Sequence, residues 1–426
     1  MQTTHNTPGN GRFPKWAGIL LFVFLLPTPA RASESETLIA IEGDPSLAKL
    51  LQCNADGSWL FEIEGKPHRW TADQWIRWGA PAKTQSGPYL YLSGGSCLAV
   101  DEGFGTLEIT EDRVTVDSKS LGEEIELPLT SVEGIVFRPS PDLQQRNQIM
   151  DRFREMERTT DTVLLDNGDE LQGTIHGLTA TTGLTLQTVP GETITVPRKN
   201  IVALVLNPAL VDRPKHQDQL LLVHFADGSR VMASDWKGDE EKLEMVSPTG
   251  QQFSAYYRKD RRDPNLIGLQ SFVPQVVYLS DLEPADYRHR PYLSVHWPYR
   301  TDRNVIGTRL QSGGTLYEKG IGMHSVASLT YRLEKPYQRF DATLGIDDSA
   351  GNQGSVLFRL YVDDGSGKWQ LREQSEIVRG GDGTRRISID LTGIRGLSLV
   401  VDHADRGDEM DRANWLDARL LRATDQ

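Results

Sequence analysis

Short runs of apolar and β-branched residues, each ending at a glycine, recur through the first 270 residues of the chain. The runs TLIAIEGD, YLYLSGG, TVLLDNGDELQG and LLLVHFADGSRV turn at Gly43, Gly95, Gly168 and Gly228. Each run predicts a β-strand followed by a turn, because glycine accepts the turn conformation without steric cost. Further strands follow each turn, and an apolar strand closes each unit near Trp75, Ile135, Val202 and Ile267.

These repeated units predict small β-barrels. The spacing between the turn glycines varies, which argues against a strict-period solenoid or propeller. Five-stranded barrels of the SH3-like or Sm-like kind fit the strand number, since closing a barrel removes exposed strand edges. We expect two units over residues 37–137 and two more over 161–272, with tryptophans of the first unit filling its core.

One segment between the second and third units has helical character. In SPDLQQRNQIMDRFREMERTTD, Ser140 can cap a helix and Pro141 suits its first turn. Ile149, Phe153 and Met156 recur on one face. We therefore expect an amphipathic helical linker over 138–160 that packs its apolar face on a neighbouring barrel.

The strand pattern changes character after residue 275. SVLFRLYVDDG, RISIDLTG and LSLVVD are short apolar or alternating runs between glycine and aspartate turns, and NWLDARLL returns as a closing strand. Such runs predict antiparallel strands packed in two sheets. The fold class predicted for the whole chain is therefore all-β, with tandem barrel units followed by a β-sandwich over residues 275–426.

The first residues of the chain have the composition of a secretory signal peptide. Arg12 and Lys15 precede an apolar run, and Pro27, Pro29 and the sequence Ala-Arg-Ala follow it. The run is shorter than the roughly 20 residues that a membrane-spanning helix needs, and no later run reaches that length. We expect residues 1–32 to be cleaved from an exported protein without a membrane span.

The charge of the chain argues against a nucleic-acid partner. The formal net charge is −13, whereas binding to a phosphate backbone depends on clustered lysine and arginine. The only dense basic run, Arg258 to Arg262, is typical of a solvated loop. The chain has two cysteines, Cys53 and Cys97, and an exported location permits them to pair; two buried thiols remain an equal alternative.

The C-terminal third also resembles a known family. The segments VVYLSDLEP, HWPYRTDRNVIGTRLQSGGTLYEKGIGMHS, YRLEKPYQRFDATLGIDDSAGNQG and RGDEMDRANWLDARLL occur in the order that is typical of the NPCBM/NEW2 domain. This is the carbohydrate-binding module family 51 type found beside glycoside hydrolase family 98. The resemblance covers residues 275–423. It implies a galactose-binding-like β-sandwich with jelly-roll topology, a structural calcium in many members, and recognition of terminal sugars such as galactose.

Six residues of this segment have the side chains that sugar recognition requires. Aromatic rings stack on the apolar face of a sugar, and planar polar groups bind its hydroxyls. The candidates are Trp297, His324, Asp348, Arg379, Asn414 and Trp415. Trp415 could instead belong to the core, Asp348 could close a turn, and His324 could tie its loop to a neighbouring strand. The family commonly has His and Asp where this chain has Arg412 and Asn414.

An acidic loop near the C-terminus is a candidate calcium site. Calcium takes six to eight oxygen ligands, and the sequence DHADRGDEMDRAN supplies many carboxylates. The candidate ligands are Asp402, Asp405, Asp408 and Asp411. A solvated acidic loop without metal is the alternative, because the spacing is not that of an EF-hand.

The sequence contains no recognisable catalytic motif. It has no nucleophile elbow, metalloprotease helix or phosphate-binding loop, and no carboxylate pair is placed as glycoside hydrolysis requires. We therefore expect a noncatalytic bacterial protein, secreted, periplasmic or on the cell surface, that binds a glycan ending in a galactose-type sugar. The alternative is an exported scaffold whose sandwich and barrels bind other proteins.

Overall fold

The structure is a computed structural model. It describes residues 37–83, 87–101, 107–118, 120–142, 145, 149–151, 158–189, 191–214, 217–257, 265–292, 294–405 and 407–422. The predicted signal peptide and the basic run at 258–262 lie outside the described residues. Nearly all the regular structure is β-strand, so the predicted all-β fold class is confirmed. No helix among the described residues is long and apolar enough to cross a membrane.

Four groups of strands follow one another up to residue 272. The first group consists of β1 (Thr37–Ala40), β2 (Ser46–Cys53), β3 (Trp59–Ile63), β4 (Lys66–Trp70) and β5 (Trp75–Gly79). The second consists of β6 (Tyr89–Leu92), β7 (Cys97–Ala99), β8 (Leu107–Ile109), β9 (Arg113–Ser118), β10 (Gly122–Pro128) and β11 (Val132–Val136).

The third and fourth groups complete this half of the chain. The third consists of β12 (Asp161–Leu165), β13 (Glu170–Thr179), β14 (Gly183–Thr188), β15 (Thr193–Val196) and β16 (Ile201–Val205). The fourth consists of β17 (Leu220–Phe225), β18 (Arg230–Ala233), β19 (Asp235–Gly238), β20 (Lys242–Val246), β21 (Gln252–Tyr256) and β22 (Leu266–Phe272).

All four groups share one pairing scheme. The first strand of each group pairs antiparallel with both the second strand and the last: β1 with β2 and β5, β6 with β7 and β11, β12 with β13 and β16, and β17 with β18 and β22. Short 3-10 turns at Leu129–Ser131 and Arg198–Asn200 precede the closing strands of the second and third groups. Closing the first strand against the last is the pairing of a small barrel.

The groups are joined to one another through their closing strands. Leu269 on β22 lies opposite Trp78 on β5, and Ile135 on β11 lies opposite Leu204 on β16. A single apolar core therefore runs through all four groups. Strand edges of one group are thus paired by strands of another group. The predicted division of residues 37–272 into separate units stays a prediction.

Part of the predicted linker is helical. Gln145 and residues 149–151 have α-helical backbone, while Phe153 and Met156 lie outside the described residues. Met150 is 3% exposed and packs with Val136 and Ala203 from β11 and β16. The apolar side of this segment thus rests on the barrel strands.

Of the two alternatives for the cysteines, the structure has the buried thiols and not the disulfide bond. Cys53 ends β2, where its backbone N–H donates to the Tyr257 hydroxyl over 2.8 Å. Burial, together with Asp56, raises the pKa of the Cys53 thiol to about 12. Cys97 begins β7 and lies opposite Arg230 of β18.

Two sheets form the sandwich after residue 275. One contains β23 (Val276–Tyr278), β25 (Arg300–Thr301), β28 (Gly320–His324), β30 (Tyr337–Ile346), β34 (Arg385–Asp390) and β36 (Arg412–Arg422). The other contains β24 (Asp286–His289), β29 (Ala327–Arg332), β31 (Ser355–Asp363), β32 (Gln370–Gln374), β33 (Val378–Arg379) and β35 (Gly396–His403). A hairpin of β26 (Leu310–Ser312) and β27 (Thr315–Tyr317) adjoins them. Further 3-10 turns span Leu279–Asp281 and Asp348–Ala350.

The sandwich core lies between the inner faces of the two sheets. Trp415 on β36 is completely buried and packs edge-on against Phe358 on β31, with ring centroids 5.1 Å apart. Phe340 on β30 lies 6.4 Å from the same indole. Because β36 pairs with β23, β28 and β30, the last strand of the chain organises the whole first sheet.

A buried ion cluster connects the sandwich to the barrel strands. Glu318, beside β27, accepts hydrogen bonds from Arg309 over 2.5 Å and from Arg230 on β18 over 3.2 Å. Arg309 also donates to the backbone oxygen of Ala82 over 2.6 Å. Burial would raise the pKa of Glu318, but the two guanidinium groups outweigh burial and hold that pKa below its usual range. Breaking such a cluster would leave an uncompensated buried charge.

His224 lies next to this cluster and is 1% exposed. Its Nδ1 accepts a hydrogen bond from the backbone N–H of Ala82 over 3.2 Å, so this nitrogen carries no proton and the ring is neutral. Burial lowers the pKa of His224 to about 3, with Glu318 acting in the opposite direction. The folded protein therefore keeps this histidine neutral at pH values where the unfolded chain protonates it.

We predict that acid weakens the fold through His224. Below pH 6 the unfolded state binds a proton that the folded state excludes, so this residue should reduce the free energy of unfolding by about 1.4 kcal/mol per pH unit down to about pH 4. His224→Asn keeps an acceptor for Ala82 but does not titrate. Urea unfolding from pH 7 to pH 4 should show a shallower decline for this variant.

The matched control is His176→Asn, at an exposed position on β13. We expect it to keep the wild-type pH profile. Parallel profiles for the wild type and His224→Asn would contradict the prediction.

Candidate functional site

Strand ends from both sheets meet at one end of the sandwich, called here the loop end. β24 ends there at His289, β28 at His324 and β35 at His403, while β31 begins at Ser355 and β36 at Arg412. The register supports this, because His324 lies opposite Arg412 and His403 lies opposite Val356. Loops between these strands therefore share one surface.

Trp297 and His324 form the central contact of the loop end. Their rings are stacked, with centroids 5.0 Å apart and an interplanar angle of 10°. His324 is only 5% exposed, whereas Trp297 is half-buried. One side of the indole is thus supported by a buried imidazole, and part of it remains accessible to solvent.

The main chain of Trp297 is fixed by β24. The hydroxyl of Tyr287 donates to the carbonyl of Trp297 over 2.6 Å, and the N–H of Trp297 donates to Nδ1 of His289 over 3.4 Å. Tyr287 in turn packs against Tyr299, with centroids 5.0 Å apart. These contacts hold the loop before β25 in place.

Three histidines lie together next to Trp297. The ring of His289 lies edge-on to His324 at 6.3 Å and to His296 at 5.9 Å. Burial lowers the pKa values of both His324 and His289, which favours neutral imidazoles at pH 7. Nδ1 of His324 donates to the carbonyl of Ser325 over 3.0 Å, so its Nε2 is the nitrogen that can accept a hydrogen bond from a hydroxyl group. His289 and His296 were not predicted as site residues, although the run of histidine and aromatic residues from Tyr287 to Trp297 is a signal for them.

Asp347 organises the neighbouring loops and is 2% exposed. Its Oδ1 accepts from Asn304 over 2.9 Å and from the N–H of Ser349 over 3.1 Å. Its Oδ2 accepts from Asn414 over 2.8 Å and from the N–H of Gln311 over 3.2 Å. Several hydrogen bonds of this kind compensate the burial of a carboxylate.

The structure separates the predicted sugar ligands into two groups. Trp297, His324, Asp348 and Arg379 lie on or beside the loop end. Asp348 is exposed and accepts the N–H groups of Gly313 and Gly314 over 2.8 and 2.9 Å, and Arg379 donates to Asp405 over 2.5 Å.

Asn414 and Trp415 are placed differently. Asn414 is fully buried and donates to Asp347, and Trp415 is fully buried in the sandwich core. Neither side chain reaches solvent, so their prediction as sugar contacts is wrong. Strand β36 turns both residues inward, because its residues from Ala413 to Leu421 are all buried.

The four predicted calcium ligands do not form a cage. Asp402 pairs with Arg359, and Asp405 pairs with Arg379. Asp411 is fully buried and accepts from the Ser325 hydroxyl and from the Ser355 N–H over 2.8 Å. Within the described ranges, no three acidic, histidine or cysteine side chains converge as a metal site. Two of the carboxylates are already neutralised by arginine, so this arrangement does not fit calcium.

We predict that Asp347→Asn destabilises the sandwich by about 2 kcal/mol, because an amide NH₂ would then face donors that now share a carboxylate. Chemical denaturation followed by tryptophan fluorescence would measure the change.

Asp348→Asn is the matched control. The neighbouring carboxylate is exposed and binds two backbone N–H groups, so we expect a cost below about 1 kcal/mol. Equal costs for the two variants would show that Asp347 has no organising role.

A comparison with protein families identifies the C-terminal segment. Residues 275–421 match the model of the NPCBM/NEW2 domain, which confirms the resemblance drawn from the sequence. Two curated proteins match part of the chain. Alpha-1,3-galactosidase B of Akkermansia muciniphila is 35% identical over 122 residues, and a putative endo-alpha-N-acetylgalactosaminidase of Renibacterium salmoninarum is 28% identical over 115 residues. The matches cover 28% and 27% of this chain but only 15% and 7% of the relatives.

Solved structures with similarity to the chain include a single CBM51 module and a tandem pair of CBM51 modules. A CBM51 from Clostridium perfringens GH95, in complex with methyl-galactose, is 24% identical and has a TM-score of 0.30; the match covers 34% of this chain and 99% of that one. Tandem CBM51 modules from a family 98 glycoside hydrolase of Streptococcus pneumoniae are 13% identical with a TM-score of 0.31, covering 80% of this chain and 89% of theirs.

Proposed function

We propose that this protein binds glycans through its NPCBM/NEW2 domain, and that the loop end is the contact surface for a terminal galactose-type sugar. The stack of Trp297 on His324 is the observation that carries the proposal. It combines a partly accessible aromatic face with neutral imidazoles, which are the groups that sugar recognition uses.

The loop that contains Trp297 supports this function by its exposure. Tyr292 is 77% exposed and Val295 is 58% exposed, so apolar side chains project from the segment next to the indole. Large exposed apolar residues grouped together are typical of binding surfaces. Tyr287 and His289 fix the main chain of this loop, which reduces the entropy lost when a ligand binds.

The choice of a galactose-type sugar rests on the chemistry of relatives. The Akkermansia muciniphila protein that resembles the C-terminal segment is named as an alpha-1,3-galactosidase. The matched part is a small fraction of that enzyme, so the catalytic activity of the relative is not transferred to this chain. We propose a noncatalytic role in which the protein attaches to glycans outside the cytoplasm after cleavage of residues 1–32.

A glycan array tests the proposal. The purified protein should bind glycans that end in galactose or N-acetylgalactosamine, and Trp297→Ala should lower the affinity at least tenfold because the stacking surface is lost. Calorimetry with methyl-galactoside would give the affinities.

Tyr256→Ala is the control variant, since Tyr256 is an aromatic residue of the barrel half that is 59% exposed. It should bind as the wild type does. No binding to any glycan with a terminal galactose-type sugar, with or without calcium, would refute the proposal. Recovery of exported protein partners in a pull-down without glycan binding would support the scaffold alternative.

A further inference from the structure

A concave surface, separate from the loop end, lies on the outer face of the sheet that contains β29 and β35. Along β29, Ala327, Leu329 and Tyr331 are buried, while the intervening residues face outward. A cleft of about 700 Å³ follows this outer face. The cleft lies near the ends of β29 at Arg332 and of β31 at Asp363. These strand ends are remote from His324 at the loop end.

The floor of the cleft is formed by residues that carry hydroxyl groups. Thr330 on β29, Ser398 on β35 and Tyr361 on β31 lie side by side in the strand register. The hydroxyl oxygens of Thr330 and Ser398 are 2.9 Å apart and form a hydrogen bond. The hydroxyl groups of Thr330 and Ser398 can form hydrogen bonds with the hydroxyls of a ligand that lies along the sheet.

An exposed indole forms part of the wall. Trp369 is 44% exposed and borders the cleft. Its ring lies against Gly396 so closely that a Cβ atom at position 396 would come within 2.9 Å of the indole. The absence of a side chain at Gly396 therefore allows the ring to lie on the sheet. An aromatic ring in such a position offers a stacking surface for a sugar.

The charges of the cleft favour an anion. The titratable side chains other than tyrosine that line it are Arg288, Arg332, Arg395, Asp286 and Asp363. Asp286 pairs with Arg288 over 2.8 Å, and Oδ1 of Asp363 accepts the N–H groups of Gly365 and Gly367. Within the described part of the chain, the guanidinium groups of Arg332 and Arg395 form no ion pair. These two arginines therefore line the same cleft as the indole of Trp369 without a carboxylate partner among the described residues.

We propose that this cleft binds an acidic glycan, one whose sugar units carry carboxylate or sulfate groups. The indole of Trp369 stacks on a sugar ring, Thr330 and Ser398 bind hydroxyls, and Arg332 and Arg395 bind the acidic group. Arginine suits this role because its planar fork donates two parallel hydrogen bonds to a carboxylate or sulfate. The site is separate from the loop end, so it does not depend on the function proposed there.

The test uses an array of acidic glycans, each printed with its neutral counterpart: uronate-containing, sialylated and sulfated oligosaccharides beside their carboxyl-reduced, desialylated and desulfated forms. The full chain carrying Trp297→Ala is the reference protein, so that a sugar bound at the loop end does not contribute. We expect at least one acidic member to bind tenfold or more tightly than its neutral counterpart. Binding should weaken between 50 and 500 mM NaCl, because an ionic contact is screened by salt.

Variants assign the binding to the cleft. The double variant Arg332→Ala/Arg395→Ala and the single variant Trp369→Ala should each lower the affinity for the acidic glycan at least tenfold. Gly396→Ala should also lower it, since the added methyl group displaces the indole without removing it. The control is Arg385→Ala, on β34 of the opposite sheet, where the side chain is 48% exposed; it should leave the affinity unchanged.

Equal binding of acidic and neutral members, or unchanged acidic binding in the double arginine variant, would overturn the proposal. Melting temperatures of all variants identify any loss caused by unfolding, and an unfolded variant is replaced by Arg332→Gln/Arg395→Gln or Trp369→Leu. The wild-type protein separates the two proposals. If it binds acidic glycans but no neutral galactosides, the loop-end function alone is refuted. If the wild-type protein binds neutral galactosides but no acidic glycan, the function of the cleft alone is refuted.

Discussion

Two buried carboxylates determine the shape of the loop end. Asp347 joins the segments around Asn304, Gln311 and Asn414 through hydrogen bonds to one side chain. Asp411 joins Ser325 to Ser355 in the same way. The strand ends that meet here come from distant parts of the sequence, and backbone pairing alone does not connect their loops. A carboxylate that accepts several hydrogen bonds can fix such loops at the cost of removing its charge from water.

The barrel half and the sandwich are connected by a different kind of contact. Ile39 and Ile76 from the first strand group share an apolar cluster with Val276 and Leu421 of the sandwich. The ion cluster around Glu318 also joins the two halves, and the exposed fraction of its side chains is 11% for Glu318 and Arg309 and 27% for Arg230. Apolar packing supplies the favourable free energy of the junction. The charged groups form their hydrogen bonds in only one orientation of the two halves, so they restrict how the halves pack.

The sequence predicted the class and order of the strands because apolar alternation and turn glycines are local signals. The closing strands near Trp75, Ile135, Val202 and Ile267 are β5, β11, β16 and β22. The pairing between groups was not predictable, since a closing strand such as β11 carries no local mark that identifies β16 as its partner.

The site was predicted only in part, for a related reason. Trp297 and His324 were recognised by residue type, and they do form a contact. Asn414 and Trp415 have the same suitable side chains, but burial depends on the register of β36 between β28 and β30, which a single sequence does not show. The predicted calcium ligands were grouped by their closeness in sequence, whereas the fold gives Asp402 and Asp405 to arginines from other strands.

The loop that presents Trp297 is anchored through main-chain atoms. Tyr287 binds the carbonyl of residue 297 and His289 binds its N–H, so neither anchor depends on the side chain at that position. Substitutions at residue 297 can therefore alter the surface offered to a ligand while the loop keeps its path. Such a separation allows the ligand preference of the module to diverge during evolution with little cost in folding, because the residue that meets the ligand is not one of those that hold the loop.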